Sequence, residues 1–156
     1  MPPPLIAVLN GPNLNLLGLR EPHLYGVDTL DDVEMLCAET AERLGLAIDF
    51  RQSNIEGELI SWVQECRGRA SGILINPASY SFTSIALMDA LLAVSLPTVE
   101  VHLTNVHRRE AFRHHSYISR AATGVISGLG SQGYALGLQA LAELLGTASN
   151  DMDDDV

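Results

Sequence analysis

Basic residues are scarce in this chain: Lys and Arg together number 9 against 19 Asp and Glu, for a net charge of -10 at pH 7. That imbalance argues against a nucleic-acid partner, because neutralising phosphates requires a basic surface. An anionic ligand would have to find a local positive site against an unfavourable overall field, so the few arginines carry more weight. Part of the negative charge sits in Asp151-Met152-Asp153-Asp154-Asp155, and residues 148–156 read as an acidic, solvated and disordered tail. Cysteine is also rare. Cys37 and Cys66 fall in predicted helices and form no close metal-ligand pair, which suits free thiols rather than a structural disulfide. No apolar run approaches the roughly 18 residues of a membrane helix, and the N-terminus lacks the basic and apolar regions of a signal peptide. The expectation is a cytoplasmic protein with no membrane partner. The histidines are not spaced with carboxylates or cysteines as metal ligands. Gly124, Gly128, Gly130 and Gly133 do not make a phosphate loop with its lysine, so neither a metal nor a cofactor is expected.

What is present is apolar and regularly punctuated. The chain has 156 residues, enough to bury a core in one domain, taken here as 1–147. At 47% hydrophobic and 18% charged residues it is apolar for a monomer of this size, which points to surface buried between subunits. Short apolar runs at Leu5–Leu9, Ala47–Gln52, Gly72–Asn76, Thr98–His102 and Gly124–Gly128 read as strands. Helical patterns lie between them: from Asp28 or Thr29 to Leu44, Glu56 to Arg69, Thr83 or Ser84 to Ala93, a short piece over Arg108–Ala111, and Ser131 to Leu145. Strands alternating with helices imply a parallel sheet covered on both faces. With five strands, the expected fold is α/β, a flavodoxin-like doubly wound sheet in the order 2-1-3-4-5. Ligands of such folds bind outside the carboxyl ends of the strands, beside the first and third.

Folding alone explains the stretch after the first strand least well. Residues 11–26 mix turn formers with Asn13, Arg20, His23 and Tyr25, and a connection of that length is usually functional or disordered. Leu14, Leu16, Leu17, Leu19 and Leu24 give it something to dock with, so it reads as a mobile active-site lid. Within it, Arg20 and Tyr25 stand five residues apart. A guanidinium held against a phenol favours the phenolate, although spacing alone leaves Tyr25 equally readable as a lid anchor. Glu100 and His102 lie two apart on a strand and share a face. They could be an oriented acid or a neutralised core pair. Asn76 ends a strand, where it could cap the next turn.

The motifs Asn10-Gly11-Pro12-Asn13-Leu14-Asn15-Leu16-Leu17-Gly18, Arg20-Glu21-Pro22 and Tyr25-Gly26 resemble the type II 3-dehydroquinate dehydratases. So do Glu100-Val101-His102-Leu103-Thr104-Asn105-Val106-His107, Phe112-Arg113-His114-His115-Ser116, Ala122-Thr123-Gly124-Val125-Ile126, Gly128-Leu129-Gly130 and Gln132-Gly133-Tyr134. The resemblance covers roughly residues 4 to 146. It implies a cofactor-free lyase that dehydrates 3-dehydroquinate to 3-dehydroshikimate through an enolate, a step that serves the shikimate pathway or quinate degradation. By the same resemblance Tyr25 is the general base and Arg20 activates it. His102 is the acid, Glu100 orients it, and Asn13 stabilises the enolate oxygen. Asn76 and the backbone N–H groups of Leu103 and Thr104 would take the carboxylate at a short helix start, and Arg113 the ring hydroxyls. The assembly implied is a dodecamer of four trimers, with Asp89 reaching a neighbouring subunit's site.

Phe82 departs from the family pattern, which has a substrate-binding histidine there; Met88 replaces a common arginine, and Arg120 a frequent proline. Two alternatives follow: a diverged or weakly active paralogue acting on a related cyclic hydroxy acid, or a non-catalytic ligand-binding subunit.

Overall fold

The computed structural model describes residues 2–146, and the acidic tail expected at 148–156 lies outside them. A single parallel sheet runs through the described chain. Its strands are β1 (Leu5–Asn10), β2 (Ala47–Gln52), β3 (Gly72–Asn76), β4 (Thr98–His102) and β5 (Gly124–Ser127), in the order β2-β1-β3-β4-β5. This is the flavodoxin-like order read from the sequence. Asn10 pairs in register with Asn76, so β1 and β3 end level and deliver two amide side chains to the same edge.

The central strands are continuous in apolar residues because both of their faces are covered. The helices are α1 (Pro22–Tyr25), α2 (Leu30–Leu44), α3 (Glu56–Glu65), α4 (Ile85–Val94), α5 (Tyr117–Ala121) and α6 (Gln132–Leu144). Strand periodicity sends Ile6, Val8, Leu74, Val99 and Val101 to one face, against Val33 and Cys37 of α2 and Leu138 and Leu141 of α6. It sends Ala7, Leu9, Ile73 and Ile75 to the other, against α3, α4 and α5 through Leu59, Leu87 and Ile118. Each fully buried Val, Leu or Ile among them contributes about 1.5–3 kcal/mol of transfer free energy. Gly137 lets α6 lie close, since a Cβ there would stand 2.5 Å from Leu74 Cδ1. The edges are wetter: β2 is half-buried along its length, and Val125 of β5 is 48% exposed.

Local chemistry sets the helix ends. Thr29 caps α2 in a reciprocal capping box with Asp32, and Gly45 closes it in the left-handed region. Ser84 caps α4 by accepting from the Leu87 N–H. Two expected elements differ from the structure. α3 stops at Glu65 rather than Arg69, since the chain turns through Gly68 at φ 75°. The expected helical piece over Arg108–Ala111 is two 3-10 turns, Val106–Arg108 and Ala111–Arg113, with Arg109 extended between them. The sequence reading also missed α5, capped by Ser116, and a 3-10 turn over Ala78–Phe82. Cys37 and Cys66 are buried and free, and burial pushes the Cys37 thiol up to about 12. No described helix is long and apolar enough to cross a membrane.

Candidate active site

The site is built at the carboxyl ends of β1, β3 and β4. At the first of these, the Gly11 N–H donates to the Asn76 carbonyl at 2.8 Å. The crossing is so close that a Cβ on residue 11 would stand 2.4 Å from the Pro77 carbonyl oxygen. From there residues 11–26 fold back over the strand ends through a 3-10 turn (Leu14–Leu16) and α1. Only part of their apolar content docks. Leu14 and Leu17 are buried in the core, whereas Leu16, Leu24 and especially Leu19, 84% exposed, are not. Of the five leucines expected to give the segment something to dock with, two do so: Leu14 within the 3-10 turn and Leu17 just after it.

Tyr25 comes to rest in the pocket between two arginines. Arg20 lies over its ring, with Cζ 4.5 Å from the centroid, a cation-π contact with the face rather than the hydroxyl. The cation at the hydroxyl is Arg109, whose Nη1 donates to Tyr25 Oη at 2.7 Å and lies 3.4 Å from Thr104 Oγ1. Arg109 was not singled out in the sequence, because Arg108 and Arg109 stand side by side in an arginine pair with nothing to separate them. The structure separates them: Arg109 lines the pocket, and Arg108 is exposed.

β4 presents Glu100 and His102 on one face, and His102 lines the same pocket as Tyr25. Glu100 is fully buried and His102 nearly so. Glu100 Oε2 is bonded to His102 Nε2, which leaves Nδ1 as the ring nitrogen not engaged with the carboxylate. The carboxylate is also held from α5: Ser116 Oγ donates to Oε2 at 2.9 Å and Ser119 Oγ to Oε1 at 2.7 Å. Burial alone would push the Glu100 carboxyl up. The hydrogen bonds from His102, Ser119 and Ser116, with the attraction of His102, outweigh it and hold the group below the usual range. Phe82 stacks on the acid side of the pocket, its ring 6.1 Å from that of His102 and inclined by 20°. Arg113 Cζ lies 5.8 Å from the same ring, and Arg113 Nε donates to Glu110 at 2.8 Å.

Asn76 lines the pocket floor. Its Oδ1 accepts from the Ala78 N–H at 3.1 Å, and its Nδ2 donates to Tyr134 Oη at 2.9 Å. The turn-capping role readable from the sequence and a place in the pocket are therefore both present in one side chain. Leu103 and Thr104 line the wall, but no helix begins at them: the nearby 3-10 turn starts at Val106, capped by Asn105, and has three residues. Arg20, Tyr25, Asn76, Phe82, His102, Leu103, Thr104 and Arg113 thus share one cavity, with Glu100 directly behind His102. Asn13 does not line it. It is exposed in the left-handed region at φ 68°, its N–H donating to Asn54 Oδ1 at 2.9 Å. Asp89 is exposed on α4, away from this chain's own pocket. Among the described residues, no three His, Cys, Asp or Glu side chains come together as metal ligands.

Comparison with known proteins gives a consistent result. A family model described as dehydroquinase class II matches residues 4–142. A 3-dehydroquinate dehydratase 2 from Pseudomonas aeruginosa is 61% identical over 138 residues, spanning 88% of this chain and 93% of that protein. A Brucella canis 3-dehydroquinate dehydratase is 57% identical over 146 residues, covering 94% and 93% of the two chains. Among solved structures, the type II dehydroquinase of Propionibacterium acnes superposes with a TM-score of 0.86 at 44% identity, over 89% of this chain and 96% of that one.

Proposed function

The chain belongs to the class II dehydroquinase family, and from that membership and the site's geometry we propose that it dehydrates 3-dehydroquinate to 3-dehydroshikimate. The observation that carries the reading is a phenol bonded to a guanidinium at 2.7 Å and a histidine backed by a buried carboxylate, lining one pocket. That places a base and an acid in one cavity, which an elimination of water requires.

Tyr25 removes the proton at C2, next to the ketone, while Arg109 holds its oxygen in place with a hydrogen bond. The electron pair moves onto the ketone oxygen as an enolate, and Asn13 donates to that oxygen, directly or through a water, when residues 11–26 close as a lid. The enolate then re-forms the ketone, the C1–C2 double bond forms and the C1–O bond breaks. His102 supplies the proton that turns the departing hydroxyl into water, with Glu100 holding its ring. Asn76 and the Leu103 and Thr104 N–H groups hold the carboxylate, and Arg113 the ring hydroxyls. Asp89 completes the site of a neighbouring copy in a dodecamer of four trimers. No Schiff base is involved, and none of the chain's 9 basic residues is a lysine.

A second reading, a related cyclic acid with fewer hydroxyls, is favoured by the apolar Phe82 ring beside His102. Ultraviolet absorbance of the conjugated enone product tests both. The purified protein turns over 3-dehydroquinate, and Tyr25→Phe lowers kcat by about 10²–10⁴-fold. No turnover of 3-dehydroquinate by the parent, with turnover of a less hydroxylated analogue, moves the assignment to the second reading.

A further inference from the structure

A chain of hydrogen bonds runs beneath the pocket through three side chains buried to 97% or more: Asn10, Tyr134 and Asn76, at 0%, 0% and 3% exposure. Asn10 Nδ2 donates to the Arg51 carbonyl at 2.9 Å, Tyr134 Oη donates to Asn10 Oδ1 at 2.7 Å, and Asn76 Nδ2 donates to Tyr134 Oη at 2.9 Å. The last link is the Ala78 N–H, which donates to Asn76 Oδ1 at 3.1 Å.

Backbone groups at both ends fix the direction of every link. The Arg51 carbonyl can only accept, so the amide nitrogen of Asn10 must face it and Oδ1 must face Tyr134. The phenol therefore gives its proton to Asn10 and has only lone pairs left for Asn76. From the other end, the Ala78 N–H can only donate, so Asn76 Oδ1 must face it. The two constraints agree. An asparagine nitrogen carries two hydrogens. One is bound by Tyr134, and the second remains for the cavity that Asn76 lines.

The geometry points to Tyr134 as a positioning residue that presets Asn76 as a hydrogen-bond donor to an anionic oxygen in the pocket. Without the phenol oxygen, the amide would hold its orientation by the single Ala78 contact and could also turn its nitrogen away. The inference rests on the proposed function only in naming that oxygen as the substrate carboxylate.

The test is a double-mutant cycle on purified enzyme. Tyr134→Phe, which keeps the ring, raises KM for 3-dehydroquinate about tenfold, the equivalent of one lost hydrogen bond, and leaves kcat within about twofold. On an Asn76→Ala background the same change moves KM by less than about twofold, because Tyr134 acts through Asn76. An equal KM increase on both backgrounds, or none on the parent, overturns the inference. Nuclear magnetic resonance of 15N-asparagine-labelled, ligand-free parent protein decides it independently of turnover and of the variants' folding. One Asn76 side-chain proton is protected from solvent exchange and the other is not; equal protection of the two overturns it. If the parent does not turn over 3-dehydroquinate, the functional assignment fails while this measurement still decides the role of Tyr134.

Discussion

Removing the Ser119 hydroxyl isolates what holds the acid in place. In the buried Glu100 carboxylate, Oε2 receives both His102 and Ser116, whereas Oε1 receives Ser119 at 2.7 Å. Ser119→Ala therefore leaves one oxygen of a fully buried anion without its donor. Ser116 is a less clean target, because it also caps α5. A hydrogen bond to a charged group contributes about 1.5–3 kcal/mol. Its loss raises the Glu100 carboxyl above its value in the parent, because one of the donors that holds it down is gone. The folded-state value in the parent is depressed, so the stabilisation is fully present above the unfolded value, about 4.3, and is lost as pH falls through the folded value. In the variant the folded value is higher. Its deficit is therefore full, about 1.5–3 kcal/mol, at pH 8, and it shrinks as pH falls through the variant's raised value. Urea denaturation at fixed protein concentration from about pH 8 down to about pH 3.5, through the carboxylate range, measures this, and the acid limb of the kcat/KM profile moves to higher pH alongside it. A deficit below about 0.5 kcal/mol at pH 8, or one that does not change with pH, refutes the argument that Ser119 supports a charged Glu100.

Arg109→Met removes the cation at the Tyr25 hydroxyl while Arg20 still covers the ring; kcat is expected to fall about 10²-fold with KM within about threefold, and steady-state kinetics showing full activity would place the activating charge elsewhere. Phe82→His exchanges an apolar wall beside His102 for a donor to a substrate hydroxyl, and kcat/KM for 3-dehydroquinate should rise about tenfold; no change, or a fall, would mark Phe82 as tuned for another ring. Gly11→Ala drives a methyl group into the Pro77 carbonyl and should cost about 3 kcal/mol in chemical denaturation, the close approach of β1 and β3 being backbone against backbone; a loss under about 0.5 kcal/mol would contradict the packing described.

The strand order was legible because five short apolar runs alternated with capped helices, and strand periodicity placed Glu100 and His102 on one face correctly. Irregular segments were less legible. Ser116 and Ser119 carried no signal of their role, since nothing in a Ser-x-x-Ser spacing says that both hydroxyls reach back to β4. Tyr134 carries the pattern of any core aromatic on a helix. Its hydroxyl became informative only when the register of β1 and β3 placed Asn10 and Asn76 around it. Asn13 and Asp89 mark a different gap. Local pattern cannot say whether a polar side chain faces its own pocket or a neighbour's, and neither residue lines the pocket of this chain.

The arginines answer the charge problem that the composition posed. Three of the 9 basic residues, Arg20, Arg109 and Arg113, converge on one pocket in a chain of net charge -10. Each faces a different neighbour there: the Tyr25 ring, the Tyr25 hydroxyl and the Phe82 ring. Glu110 sits behind two of them, bonded to Arg113 at 2.8 Å and 3.8 Å from Arg109. Its backbone hydrogen bond and these arginines hold its carboxyl below the usual range. Exposed ion pairs of this kind add little stability. Their effect is directional: the guanidinium groups are drawn from outside into the orientations that the phenol and the aromatic wall require. Three guanidinium groups thereby converge where an anionic ring can reach them, in a chain of net charge -10.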